Sequence, residues 1–400
     1  MSKLGVVIVG VGGAVASTVI AGVELMVKGL VPKLGMVTEK TDAKLDEDVA
    51  SMMNFAPLED IVFGGWDLKK KNIFEACLVH QVLPEKKLDQ IKGYLEGIKP
   101  WPAVLSERDV SRGENAIAAK SYRHELELLT KNVEDFKKQH GCDRVVMVNL
   151  ASTERYLEPG PQHQTIAAFE KALDANDPDI TPAMRYFYLA NQLGMPYVNF
   201  TPSLTNIPAL NQHAMEKRNP FAGMDGKTGQ TLVKTVLGTM FRGRRIFIDG
   251  WYSTNILGNN DGLVLNSPEN NKTKVTSKGA VLDSIVGYKV ENHQVHIHYY
   301  KPRGDAKEAW DNIDLIGFGG VPMQMKVNFL CQDSVLAAPL VVDLVRLADQ
   351  AKTVGERGIQ RQLSMFFKAP YHEPGEQPQH DFFKQERLLL DWCAKHGKKK

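Results

Sequence analysis

The sequence predicts a doubly wound α/β domain interrupted by an α+β insertion. Three observations lead there. Continuous apolar runs, suited to strands buried on both faces, alternate with helical patterns through the first half of the chain. A glycine-rich turn joins the first of these runs to the first helix. Past about residue 222 the apolar residues recur with period two, the mark of a sheet with one dry face.

Taken in order, residues 4–9 read as a buried strand and 14–29 as the helix after it. "KLGMVTEK" (33–40) reads as a second strand, and "DRVVMVNLAS" (143–152) as another that opens into polar "STERY". The helical "TPAMRYFYLANQLGM" leads into strand "PYVNFTPS" (196–203). In the insertion, "RRIFIDGWYSTN" is followed by "HQVHIHYYKP", where Val295, Ile297 and Tyr299 alternate with His296, His298 and Tyr300. That alternation suits an antiparallel sheet. After "MQMKVNFLCQDS" the chain returns to helix in "LAAPLVVDLVRLADQAK", then a proline-rich loop and the amphipathic "FFKQERLLLDWCAK".

Composition narrows the class. At 400 residues the chain exceeds one small core and calls for two domains, or one with a large insertion. Lys+Arg 49 against Asp+Glu 47 leaves no global field to favour nucleic acid. No apolar run approaches a bilayer span, and the N-terminus lacks a secretory cleavage pattern. Cys77, Cys142, Cys331 and Cys393 are scattered without C-x-x-C spacing, which fits a reducing cytoplasm. The expectation is a cytoplasmic enzyme.

Four features bear on chemistry. Gly10 and Gly12 supply the tight turn and the backbone approach that a dinucleotide loop needs, and Gly13 lets the amides come closer. Val15 stands where a strict G-x-G-x-x-G has its third glycine, and Ala16 can take the packing role. A glycine turn without a ligand explains the same residues. Glu39 is placed to reach an adenosine ribose, and an ordinary surface glutamate explains it equally. Asn255, Asn259, Asn260 and Asp261 crowd a segment between apolar strands, where amides suit sugar hydroxyls or a carboxamide; Asn-Asp-Gly is also a plain turn signal. Lys274 and Lys278 lie four apart, Lys301 and Lys307 flank a Gly-Asp turn, and Lys368 sits in apolar "SMFFKAP". Buried lysines serve as acid, base or oxyanion partner, and converging ones hold phosphate; a solvated surface is the other reading. His296 and His298 share a strand face but lack a third metal ligand at readable spacing.

Together the motifs resemble the myo-inositol-1-phosphate synthases. "GVGGAVA", "FGGWDL", "NLASTERY", "GMDGKTGQT", "NILGNNDG", "TKVTSK", "KPRGDAKEAWD", "CQDSVLAAPLVVDLV" and "FFKAP" are similar to that family's motifs and run in its order. Ala14, Val15 and Ala16 replace the asparagines and last glycine of the family's loop, and "TPSLTNIP" follows its counterpart loosely. The resemblance implies a Rossmann-type doubly wound parallel sheet (1–221 plus 333–400, with C-terminal helices) interrupted by a catalytic and tetramerisation domain (222–332). It implies NAD-dependent conversion of D-glucose 6-phosphate to 1L-myo-inositol 1-phosphate, by C5 oxidation, enolisation, aldol closure and re-reduction. Lys274 and Lys368 would then move protons at the C5 oxygen and the enolate, and Lys278 and Lys307 would stabilise phosphate and oxyanions. Asp225, Asn255, Asp261 and Asp333 would orient hydroxyls, nicotinamide or lysines. The cofactor would rest on Gly10, Gly12, Gly13, Ala14, Val15, Asp67, Ser152, Thr153, Asp225, Asn255 and Asp305. A homotetramer is implied, as is a cation, ammonium or divalent, that the sequence does not identify. Two rivals stay open: an NAD(P)-dependent dehydrogenase of a phosphorylated sugar or semialdehyde that releases reduced cofactor, and a cofactor-binding regulator with a dead site.

Overall fold

The computed structural model describes residues 3–42, 45–106, 108, 113–258 and 281–397. The chain divides into two compact units. The first comprises Met1–Gly226, Ala338–Gln377 and Leu390–Lys400, the second Lys227–Ala337 and Pro378–Leu389. The sequence placed these breaks after 221 and 332 and left the C-terminal helix whole.

The first unit holds β1 (Leu4–Val9), β2 (Ile61–Asp67), β3 (Trp101–Pro102), β4 (Arg144–Asn149), β5 (Tyr197–Asn199) and β6 (Pro220–Gly223). The second holds β7 (Phe247–Leu257), β8 (Asn292–Tyr299), β9 (Ala306–Ile316) and β10 (Pro322–Gln332), and β11 (Gly358–Ile359) returns to the first.

The first unit's sheet is parallel throughout, in the order β11-β6-β5-β4-β1-β2-β3. Leaving β11 aside, that is the doubly wound dinucleotide order, with the switch point between β1 and β4. Every residue of β1 is buried, because neighbours pair on both edges and helices cover both faces. Helix Tyr122–His140 is one such cover. Ser121 caps its start, Gly141 at φ 62° ends it, and Leu126, Leu129, Val133 and Phe136 form its buried stripe. The Phe136 ring lies over Gly5 and Gly64, where an added Cβ would come within about 3 Å of it. Burial of each such apolar side chain contributes roughly 1.5–3 kcal/mol.

The second strand is not where the sequence placed it. Residues 33–40 are turn and coil: Leu34 and Glu39 donate to nearby backbone carbonyls, and Val37 and Thr38 to a side chain, instead of to a ladder. The Asp343 carboxylate accepts from the amides of Val37 and Thr38 (3.0 Å each) and from the Thr38 hydroxyl (2.6 Å). Glu39 pairs with Arg346 at 2.7 Å, which diverts it from any ribose.

In the second unit the sheet order is β10-β9-β7-β8. β10/β9 and β9/β7 are antiparallel, but β7 and β8 run parallel, against the antiparallel reading. A parallel pair needs a crossover longer than a hairpin turn, and the chain between β7 and β8 supplies one. Phe241 from helix Gly229–Gly243 packs with Ile248, Trp251, Leu282, Ile285 and Ile313 to form the core. Among the described residues no helix is long and apolar enough to cross a membrane.

Candidate functional site

In the first unit the expected cofactor residues gather at the carboxyl ends of the parallel strands, where doubly wound sheets bind ligands. The chain leaves β1 through Gly10, whose φ of +84° and 2.9 Å spacing from a would-be Cβ to the Ala151 Cα both demand glycine. The Gly10 and Val11 amides bond to the Trp66 carbonyl, and Gly13 N bonds back to Gly10. Gly13 is the N-cap of helix Ala14–Val27 and lends it no side-chain cap, nor does any acid sit in the first turn. Ala16 is fully buried. The uncapped helix start, with its amides and positive dipole end, could hold an anion such as a dinucleotide pyrophosphate.

Asp67 ends β2, the strand position from which an acid reaches the adenosine ribose in this fold. Its carboxylate accepts from Gly12 N and Lys69 N, both at 2.9 Å, and keeps lone pairs for a ribose hydroxyl. His80 Nε2 lies 3.0 Å from the Gly12 carbonyl, a tie to the loop that sequence reading missed. Ser152, exposed, and Thr153, half-buried, follow β4.

Asp225 follows β6 in the left-handed region, φ 61°. Its carboxylate accepts from Lys368 Nζ at 2.8 Å, and its carbonyl accepts the Lys368 amide at 2.6 Å. The two short segments stay paired through Met224–Ala369 and Gly223–Tyr371 backbone bonds. Tyr371 locks the arrangement from below. Its hydroxyl meets Asn199 (3.1 Å) and Thr205 (2.7 Å), and burial pushes its pKa up to about 12. Lys368 was expected in an apolar setting; the structure gives it a carboxylate partner.

In the second unit Lys307, on β9, lies 3.6 Å from Asp333, which also accepts from Thr228 at 2.9 Å. Asp305 spends both carboxylate oxygens on Ser334, at its amide (3.1 Å) and hydroxyl (2.8 Å), so it caps the start of helix Asp333–Thr353. That is a structural duty beside the cofactor contact expected of it. Asn255, 1% exposed, donates to Gln230 Oε1 at 2.6 Å. Gln230 donates to Asp311, which also accepts from Trp251 Nε1 (2.6 Å) and Ser253 Oγ (2.7 Å). Lys234 Nζ reaches Ser253 Oγ at 3.4 Å and His293 Nε2 at 2.7 Å. Desolvation lowers Lys234 to about 8, and desolvation with the Lys234 charge lowers His293 to about 3. Lys227 is buried against Gln385 (2.5 Å) and the Phe382 ring, and desolvation lowers it to about 7.

Lys227, Gln230, Lys234 and Asp311 were not among the residues expected from sequence. Two of them carried a signal: Gln230 and Lys234 stand four apart on one helix, so both face the same covered stripe. Lys274, Lys278, Asp261, Asn259 and Asn260 lie outside the described residues. His296 and His298 stack at 6.3 Å, and no group of three metal-ligating side chains occurs among the described residues.

The family model described as myo-inositol-1-phosphate synthase matches residues 4–393. The chain is 44% identical over 405 residues to inositol-3-phosphate synthase 1 of Bacteroides thetaiotaomicron, covering 97% of this chain and 94% of that protein. It is 31% identical to inositol-3-phosphate synthase 1 of Oryza sativa subsp. japonica, covering 97% of this chain and 84% of that one. Inositol-3-phosphate synthase from Caenorhabditis elegans shares the fold, with a TM-score of 0.90 at 24% identity over 98% of this chain and 85% of that one.

Proposed function

The chain belongs to the myo-inositol-1-phosphate synthase family, and from that membership we infer that it is an NAD-dependent enzyme converting D-glucose 6-phosphate to 1L-myo-inositol 1-phosphate. The observation that carries this reading is 44% identity to an inositol-3-phosphate synthase along nearly all of both chains. When bound, NAD+ would supply a hydride acceptor for C5 of the sugar and, after ring closure, the hydride donor.

Ala14 and Val15 would offer their backbone amides at the helix start to the pyrophosphate. Gly10, Gly12 and Gly13, whose amides are already engaged, would let it approach the backbone closely. Asp67 would meet the adenosine ribose, and Ser152 and Thr153 would lie beside the cofactor. Lys368 would stabilise the oxygen at C5 and pass its proton, held in place by Asp225 on both its amine and its backbone amide. Lys307 would stabilise phosphate or a developing oxyanion, kept in reach by Asp333. Lys274, Lys278 and Asp261 keep the roles the resemblance gives them: proton transfer, anion binding and orientation of hydroxyls. In an alternative within this scheme the substrate phosphate removes the C6 proton, which leaves the lysines to hold charge. The enzyme is placed in the cytoplasm, a reading supported by four free cysteines, three of them buried. A homotetramer is proposed, built on the four-stranded sheet.

The test is incubation with glucose 6-phosphate and catalytic NAD+, followed by NMR or periodate-released phosphate. Inositol phosphate at many turnovers per NAD+ is expected. NADH formed one for one, without cyclised product, would overturn the reading in favour of a dehydrogenase.

A further inference from the structure

We propose that Asp311 and Gln230 are positioning residues that fix which end of the Asn255 amide faces the ligand. The inference rests on the cyclase reading and deepens it. An amide side chain has a donor end and an acceptor end of nearly equal size, so an isolated Asn can present either. Asn255 is not isolated. An ionised carboxylate only accepts, so Gln230, 3.2 Å from Asp311 Oδ1 and 3.4 Å from Oδ2, must turn its NH2 toward Asp311. Its carbonyl oxygen is then left for Asn255, whose NH2 fills it at 2.6 Å. The Asn255 carbonyl oxygen becomes the outward end by elimination. That oxygen is buried and has no hydrogen-bond partner among the described residues.

A second row of donors anchors the chain at its root. Lys234 can only donate, and it bonds to Ser253 Oγ; Ser253 in turn donates to Asp311, as does Trp251. Asp311, Ser253 and Asn255 lie on one face of the β7/β9 pair, where Ser253 stands opposite Asp311 and Leu257 opposite Lys307. Side chains alternate faces, so Asn255 shares this face with Lys307. The buried, unpartnered acceptor costs stability until a donor reaches it. It is therefore a site for a neutral donor: a hydroxyl of the sugar phosphate, or the carboxamide NH2 of the nicotinamide.

Reversing the polarity of the hydrogen-bond chain separates this role from mere packing. Asp311→Asn keeps the acceptor for Trp251 and Ser253 but offers Gln230 a donor, so Gln230 can turn over and force the Asn255 NH2 outward. Asn255→Asp removes the donor that Gln230 Oε1 needs. The double variant runs the chain backwards: the new amide at position 311 donates to Gln230, Gln230 donates to the new carboxylate at position 255, and an acceptor again faces the ligand. Wild type, both single variants, the double variant and Gln230→Met are titrated with NAD+ and with glucose 6-phosphate by calorimetry, and cyclisation is assayed alongside. Each single variant should weaken one ligand by about ten- to a hundredfold, Gln230→Met likewise, and the double variant should recover at least part of the loss. Loss confined to glucose 6-phosphate identifies a sugar hydroxyl as the donor; loss confined to NAD+ identifies the carboxamide. A double variant no better than the singles, or wild-type binding in Gln230→Met, overturns the proposal. A wild type that binds both ligands but makes no inositol phosphate overturns the cyclase reading alone, while the titrations still decide this one.

Discussion

Gly10 and Lys368 carry the sharpest residue-scale predictions. At Gly10 two demands coincide, a positive φ and a backbone 2.9 Å from any Cβ. Gly10→Ala should cost about 1–3 kcal/mol of stability, read by denaturant unfolding, and weaken NAD+ binding more than glucose 6-phosphate binding. Lys368 is a different case, because its charge and its proton can be separated. Arginine keeps the first and cannot release the second near neutral pH. Lys368→Arg should retain substrate affinity within a few-fold while kcat falls about a hundredfold or more. Wild-type kcat in that variant would mean Lys368 only binds anions. Lys227 predicts a pH effect. Its folded pKa of about 7 lies below the unfolded value of 10.5, so between those limits the unfolded chain binds the extra proton. Stability should therefore rise with pH across that window, on the order of 1.4 kcal/mol per unit, with the full burial penalty present below it. Comparison of denaturant midpoints at about pH 6.5 and about pH 9 in wild type and Lys227→Met isolates the contribution; the same slope in both refutes it.

At the scale of elements, legibility followed locality. β1, the glycine turn and the helix after it were readable because a strand with five apolar residues in six, a turn and a helical pattern are contiguous. β2 was not. Gly64 and Gly65 dilute its apolar signal, and the loop at 33–40 imitates a strand while its amides are held by Asp343, some 305 residues away in sequence. The acid expected at the end of β2 moved with it, from Glu39 to Asp67. The Asp343 clamp is testable in its own right. Asp343→Ala strands two backbone amides and a hydroxyl, and removes the carboxylate beside buried Arg346. Such a loss should cost about 2–4 kcal/mol, and hydrogen exchange should speed up at Val37 and Thr38 first. Uniform exchange across the first unit would instead place the clamp in the global core.

For the whole molecule, sequence disclosed that a foreign sheet interrupts the parallel one, but not which strands of it pair or what its outer face does. That face follows from register. Thr254 stands opposite Trp310, and Glu308 opposite Leu330, so Tyr252, Thr254, Trp310 and Leu330 point away from the side that carries Asp311 and Asn255. Tyr252, Trp310 and Leu330 are 47%, 49% and 59% exposed. Large side chains of this kind, aligned across three adjacent strands, form a surface that monomers seldom leave in water. A second copy of the sheet is the occupant we assign to it, in keeping with the proposed tetramer. Trp310→Lys places a charge at its centre without touching the buried face, where Ala309 and Asp311 hold the neighbouring positions. Light scattering should show the wild type as a tetramer and Trp310→Lys as a smaller species with unchanged circular dichroism. An unchanged mass in Trp310→Lys and in the double variant with Leu330→Glu would mean that the copies meet elsewhere.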